Sequence, residues 1–100
     1  MKCYHLVKIT KSSKSAKKMM AIFHNDSTGT TKTVHFGANG MSDFTIHKDP
    51  ERKKRYINRH SKNEDWTNPI TAGALSRWIL WNKPSLRSSI QDYKKRFKFE

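Results

Sequence analysis

Cysteine occurs once in this 100-residue chain, at Cys3, which excludes an internal disulfide and a thiolate-rich zinc cluster and suits a reducing compartment. Only four glycines and three prolines are present, and no repeat, low-complexity tract or interdomain linker is visible. Uninterrupted apolar runs such as Trp78–Trp81 are short, far from the ~20 residues that cross a bilayer. The first residues, MKCYHLVKIT, lack the apolar segment of a signal peptide. These absences predict a soluble protein made in the cytosol. Acidic residues are scarce too: 8 Asp and Glu face 21 Lys and Arg, leaving a formal net charge of +13.

Aromatic residues, by contrast, are plentiful. Three Trp, three Tyr and five Phe are too many for a disordered basic tail, so a small folded core is expected although only 34% of residues are hydrophobic. A chain this short buries about two thirds of its unfolded surface. It therefore predicts no second domain and no deep substrate cavity, and large-pocket metabolic enzymes are disfavoured.

Alternation predicts three strands, over about residues 3–9, 17–24 and 31–36. In the first, Cys3, His5, Val7 and Ile9 should face one way and Tyr4, Leu6 and Lys8 the other. The connections TKSSKSAKK and HNDSTGTT read as hairpins, the second with turn chemistry at Asn25, Asp26 and Gly29. Residues 38–48 show no sustained period and read as an ordered loop around Gly40.

The pattern then turns helical. Asp49–Pro50 is an N-cap followed by proline at the first helical position, and predicts a helix over about 50–61 with Tyr56, Ile57 and His60 inward and a cationic outer face. Asn68–Pro69 repeats the signal and predicts a central helix over about 69–81. A third helix, over about 84–97, carries Leu86, Ile90, Tyr93 and Phe97 on one stripe. The expected architecture is one α+β domain, a three-stranded antiparallel sheet followed by three helices packed on one face.

Charge is the strongest functional signal. Residues 51–100 carry 13 cations against 5 anions and residues 1–50 carry 8 against 3, so the charge is no detachable tail. Three patches are candidate phosphate contacts: Lys11, Lys14, Lys17 and Lys18 in the first hairpin; Arg52, Lys54, Arg55, Arg59 and Lys62 along the first helix; and Lys94, Lys95 and Arg96 at the end of the last. The bland alternative is a solvated surface kept soluble by like charge, with the last cluster serving the helix dipole. No zinc finger, basic zipper or RNA-recognition signature is present, which points to sequence-independent phosphate binding.

Other constellations are weaker. Cys3 and His5 on one strand face suggest a metal site, yet no H-x3-H or C-x2-C pair supports it, and no metal or cofactor is expected. Asp43, His47, Asp49, His60 and Glu64 are the candidate set for hydrolysing phosphodiesters, but the plainer reading has Asp43 and Asp49 as caps and the histidines completing hydrogen bonds. The GANG loop, Gly37–Gly40, is a weak anion nest without a following Lys-Ser or Lys-Thr. Trp78, Tyr93 and Phe97 fall on apolar stripes and read as core, whereas Trp66, in NEDWTNP, either anchors its loop or faces a partner.

The strings TVHFGANGMSDFTIHKDPERKKRYINRH, from Thr33 to His60, and TAGALSRWILWNKPSLRSSIQDYKKRF, from Thr71 to Phe97, resemble a family of small basic proteins of giant nucleocytoplasmic large DNA viruses, a domain of unknown function. The resemblance runs from about Tyr4 onward; Met41 stands where those relatives commonly have an aromatic residue. It supplies no catalytic residues. It implies a viral protein of an infected eukaryotic cell, located in the virion, the cytoplasmic viral factory or the nucleus. Together, charge and resemblance predict a non-enzymatic DNA-binding protein that neutralises or condenses a viral genome through duplex phosphates. The rivals are a minor capsid or other virion component whose basic faces meet acidic protein surfaces or the inner membrane, and a metal-dependent nuclease.

Overall fold

Residues 4–99 are described by a computed structural model. Cys3, and with it the proposed Cys3–His5 pairing, lies outside the described residues. The elements run β1 (Tyr4–Lys11), β2 (Lys17–Asn25), β3 (Thr30–Ala38), α1 (Phe44–His47), α2 (Pro50–His60), α3 (Ala72–Leu75) continuing without a break as a π-helical turn (Ser76–Leu80), and α4 (Leu86–Phe97). The strands form an antiparallel meander in the order β1-β2-β3, giving the expected α+β arrangement of sheet followed by helices.

The simple alternation read for β1 is broken by a bulge. Leu6 pairs with Phe23 but Lys8 pairs with Ile22, so Val7 is an extra residue and stands 53% exposed. The slip puts Tyr4 and Leu6 on the same face as Ile9, which strict alternation places opposite them. That face packs Leu6, Ala21, Phe23 and Phe36 against Leu75, Ile79, Leu80, Tyr93 and Phe99. Each fully buried large side chain contributes about 1.5–3 kcal/mol by leaving water. The other face presents His5, His24, His35, Met20 and Ile22, which lie outside the core cluster.

Residues 38–48 are more regular than a loop. Asp43 caps a single helical turn, accepting from the Thr45 amide at 2.9 Å, and Lys48 ends it in the left-handed region at φ 56°. Asp49 caps α2 as its Asp-Pro signal predicts, accepting from the Glu51 amide at 3.0 Å. The Asn68–Pro69 signal is spent otherwise: Asn68 Oδ1 accepts from the Ile70 amide in a turn, and Thr71 takes over as cap of α3, accepting from the Ala74 amide. The central helix thus begins at Ala72 rather than at Pro69. Ser85 caps α4, which starts at Leu86.

Two glycines show how tightly the sheet meets α3. Gly37 has φ +78°, and a Cβ there would lie 2.6 Å from Leu80 Cδ1; Gly40 has φ +90° with open space around it. Gly37→Ala combines left-handed strain with a core clash and is expected to cost roughly 3 kcal/mol, whereas Gly40→Ala carries the strain alone, about 1–2 kcal/mol. Urea unfolding of the two variants checks the order.

Candidate functional site

Helix α2 is almost entirely charged, PERKKRYINRH, and buries little besides Tyr56. Its position is set by aromatic stacking. Tyr56 lies face to face with Trp81, ring centroids 4.3 Å apart and planes 4° from parallel, and His60 also stacks on Tyr56 at 4.3 Å. The His47 ring meets Trp81 at 5.3 Å, tilted by 54°. Trp81 reaches this place because the π-helical turn before it is wide: its amide donates to Ser76 O, five residues back, at 3.0 Å. Lys53, on the inner side of α2, donates to Asn82 O at 2.6 Å, and burial, followed by Arg77 and Lys83, lowers its pKa.

Two clefts that share part of their lining lie along this seam. A notch of about 160 Å3 is bordered by Arg52, Arg55 and Arg59 of α2, by Met41 and Ser42, and by Trp81. Met41, Ser42, Arg59 and Trp81 also border a larger cavity of about 390 Å3 that reaches inward to Phe36, Leu80, Gly73 and Glu64, with Lys17 at its edge. A chain of this size is thus able to form a cleft of ligand size, contrary to the expectation from length. Among the described residues no ion pair engages Arg52, Arg55 or Arg59.

The three predicted cationic patches divide accordingly. Lys11, Lys14 and Lys17 of the first hairpin are exposed, and Lys17 lines the same cavity as Arg59. Lys18 is turned inward: its Nζ donates to Asp43 Oδ2 at 2.5 Å, with the two side chains 15% and 2% exposed. Its charge is matched there. Arg52, Lys54, Arg55, Arg59 and Lys62 are all exposed. At the C-terminal end Lys94 is half-buried and Lys95 exposed, while Arg96 lies over Trp78 at 3.8 Å and pairs with Asp92. That cluster borders neither cleft.

The hydrolytic candidates are dispersed among structural tasks. Asp43 and Asp49 are caps. His47 Nδ1 accepts from the Asp49 amide at 2.9 Å, its Nε2 is buried without a partner, and burial, then the nearby Arg52, hold its pKa below the usual value. His60 and Glu64 are the pair whose side chains bond each other, Nδ1 to Oε2 at 2.6 Å, and Glu64 Oε1 accepts from Trp66 Nε1 at 3.0 Å. No group of three or more His, Cys, Asp or Glu suited to a metal ion occurs among the described residues. Trp66 anchors its loop, since its carbonyl also accepts from Trp78 Nε1, and Arg77 is sandwiched between the two indoles at 5.4 and 4.2 Å.

Sequence reasoning missed Met41, Ser42 and Trp81 as site residues. Trp81 reads as core because its neighbours Ile79 and Leu80 are core; the π-helical widening that turns it toward α2 leaves no mark in hydrophobic spacing. Tyr56 was legible as inward-facing, but not the ring it meets.

Two consequences are measurable. Lys18→Met leaves the Asp43 carboxylate buried and unmatched, for a loss of about 3 kcal/mol in urea unfolding, and adding Asp43→Asn recovers part of it. For His47, the folded pKa lies below the unfolded one, so the unfolded chain takes up the proton first on acidification. Its contribution to stability is full above the unfolded value of about 6.5 and declines as pH falls through the folded pKa. His47→Gln, which keeps an acceptor for the Asp49 amide, is expected to flatten the fall in urea midpoint between about pH 7 and 5.

No curated protein and no solved structure matches the chain. Residues 7–60, from β1 through the whole of α2 and its three arginines, match the model of a family described as a family of unknown function (DUF5754). That span is more than half of the chain, which therefore belongs to this family.

Proposed function

We propose that this chain is a non-enzymatic nucleic-acid-binding protein that grips phosphates, those of double-stranded DNA first, with little dependence on base sequence. The observation that carries the reading is the convergence of Arg52, Arg55 and Arg59 on one notch with no carboxylate pairing them among the described residues. Guanidinium groups left without internal partners suit phosphate oxygens, which they bind bidentately. Lys17 and the exposed lysines of the first hairpin extend the cationic surface past Met41. The resemblance of Thr33–His60 and Thr71–Phe97 to small basic proteins of giant DNA viruses supplies the setting: a large viral genome to be neutralised or condensed, in the virion, viral factory or nucleus.

The sheet face opposite the core supports a second reading, a structural virion component. Val7 is 53% exposed at the bulge, and Met20 and Ile22 lie on the sheet face outside the core cluster, an apolar surface of the kind that packs on another protein.

Contact with about six phosphates gives log affinity for duplex DNA a slope near −5 against log salt, and replacing Arg52, Arg55 and Arg59 by Ala is expected to reduce that slope by about 3. Fluorescence anisotropy across a salt series measures both. An affinity indifferent to salt, or no duplex binding at low salt, overturns the reading; crosslinks in intact virions that place the chain in the shell and away from the genome favour the second.

A further inference from the structure

The two adjoining clefts differ in their charge. Arg52, Arg55 and Arg59 border the notch, and Lys17 adds a further exposed cation on the cavity lining. Elsewhere on the cavity lining polar groups are engaged with one another: Lys18 pairs with Asp43 at 2.5 Å, and His60 hydrogen-bonds Glu64 at 2.6 Å. The cavity walls between them are apolar at Phe36 and Leu80, with Ser76 and Glu64 as polar groups on the lining. A ligand matching this layout has an anionic end and a neutral, flat, polar-edged body.

The rings say where such a body goes. Trp81 and His60 both stack on Tyr56, which is buried and offers no free platform, while Trp81 stacks on Tyr56 and meets the His47 ring at a tilt of 54°. His60 ends the ladder. One of its faces lies on Tyr56, its edge is fixed by Glu64, and the ring borders the cavity with no second ring stacked on it among the described residues. A planar heterocycle entering the cavity continues the stack at the spacing already set.

Resting on the phosphate-binding reading above, we infer that the two clefts, which share Met41, Ser42, Arg59 and Trp81, together hold one unpaired nucleotide, its phosphate among Arg52, Arg55 and Arg59 and its base in the cavity against His60, within reach of Glu64. A cavity of about 390 Å3 is of small-ligand size. A base stacked within a duplex cannot enter it; one from a single strand or a frayed end can. A lipid tail fits the layout less well, because Asp43, Glu64 and Ser76 place polar groups along the path.

Titration of the isotopically labelled protein with adenosine 5′-monophosphate, followed by amide and indole NMR shifts, is expected to move Trp81, His60, Gly73 and Ser76 before Lys94–Arg96. No shifts at millimolar nucleotide, or shifts as large at Lys94–Arg96, overturn the inference. Ala72 is exposed and borders the cavity. Ala72→Phe is therefore expected to weaken binding of a single strand of about 12 nucleotides roughly tenfold, leaving duplex affinity and its salt slope unchanged. Equal loss for both forms, or for neither, counts against the site, as does nucleotide displacement by phosphatidylglycerol vesicles in an Ala72→Phe-sensitive manner. Localised nucleotide shifts in a protein that binds no duplex at low salt would instead overturn the duplex reading and uphold the site.

Discussion

The stack of Tyr56 on Trp81 is the contact on which the arrangement of charge depends. Helix α2 carries Arg52, Lys53, Lys54, Arg55 and Arg59 within two and a half turns, and its one fully buried side chain is Tyr56. Like charges on so short a helix repel one another and are repelled by Arg77 and Lys83 on the body. Coulomb repulsion at these surfaces is screened within roughly 8–10 Å in ordinary salt, whereas a buried, parallel aromatic pair is not. The ladder His47–Trp81–Tyr56–His60 therefore decides where the arginines stand, and the Lys53 bond to Asn82 O fixes the helix against sliding.

Trp81 presents its ring to α2 only because α3 changes its winding. In the first turn, Ala74 and Leu75 face the sheet with ordinary helical spacing. Over Ser76–Leu80 the hydrogen bonds lengthen to a five-residue reach, and the chain gains the extra rotation that keeps Ile79 and Leu80 in the core while the next residue leaves it. Gly37, against which Leu80 Cδ1 closes, is the counterpart on the sheet: a side chain there would push the widened turn, and Trp81 with it, off its seat. Core packing and site geometry are thus one problem at this junction.

What the sequence makes legible follows from the range of the forces involved. Period-two alternation gives three strands, and Asp49–Pro50 gives the start of α2, because caps and alternation act within a few residues. The bulge at Val7 is set by pairing with Phe23 and Ile22 across the sheet, and strict alternation misassigns Ile9 for that reason. Asn68–Pro69 looks like Asp49–Pro50 yet makes a turn, since Thr71 is better placed to serve the Ala74 amide. Of the cationic residues, those on α2 could be placed on a common outer surface from angular spacing alone. Lys18 could not be told from Lys17, because its partner Asp43 lies 25 residues away. Met41 and Ser42 have no local pattern at all, and become wall residues only when α2 folds back beside them.

The residues matched by the family model, 7–60, contain most of the sheet, α1 and α2, and so every cation of the notch. They do not contain its floor. Trp81, together with Leu80, Gly73 and Ser76 of the cavity, comes from the segment that follows. The matched span supplies the arginines, the ring of Tyr56 and Phe44 beneath Lys53, but not Trp81, the indole on which Tyr56 stacks. A charged helix of eleven residues is marginal without tertiary packing. The C-terminal helices therefore convert a cationic segment into a fixed cationic surface, and the chemistry of the notch is a property of both parts of the chain.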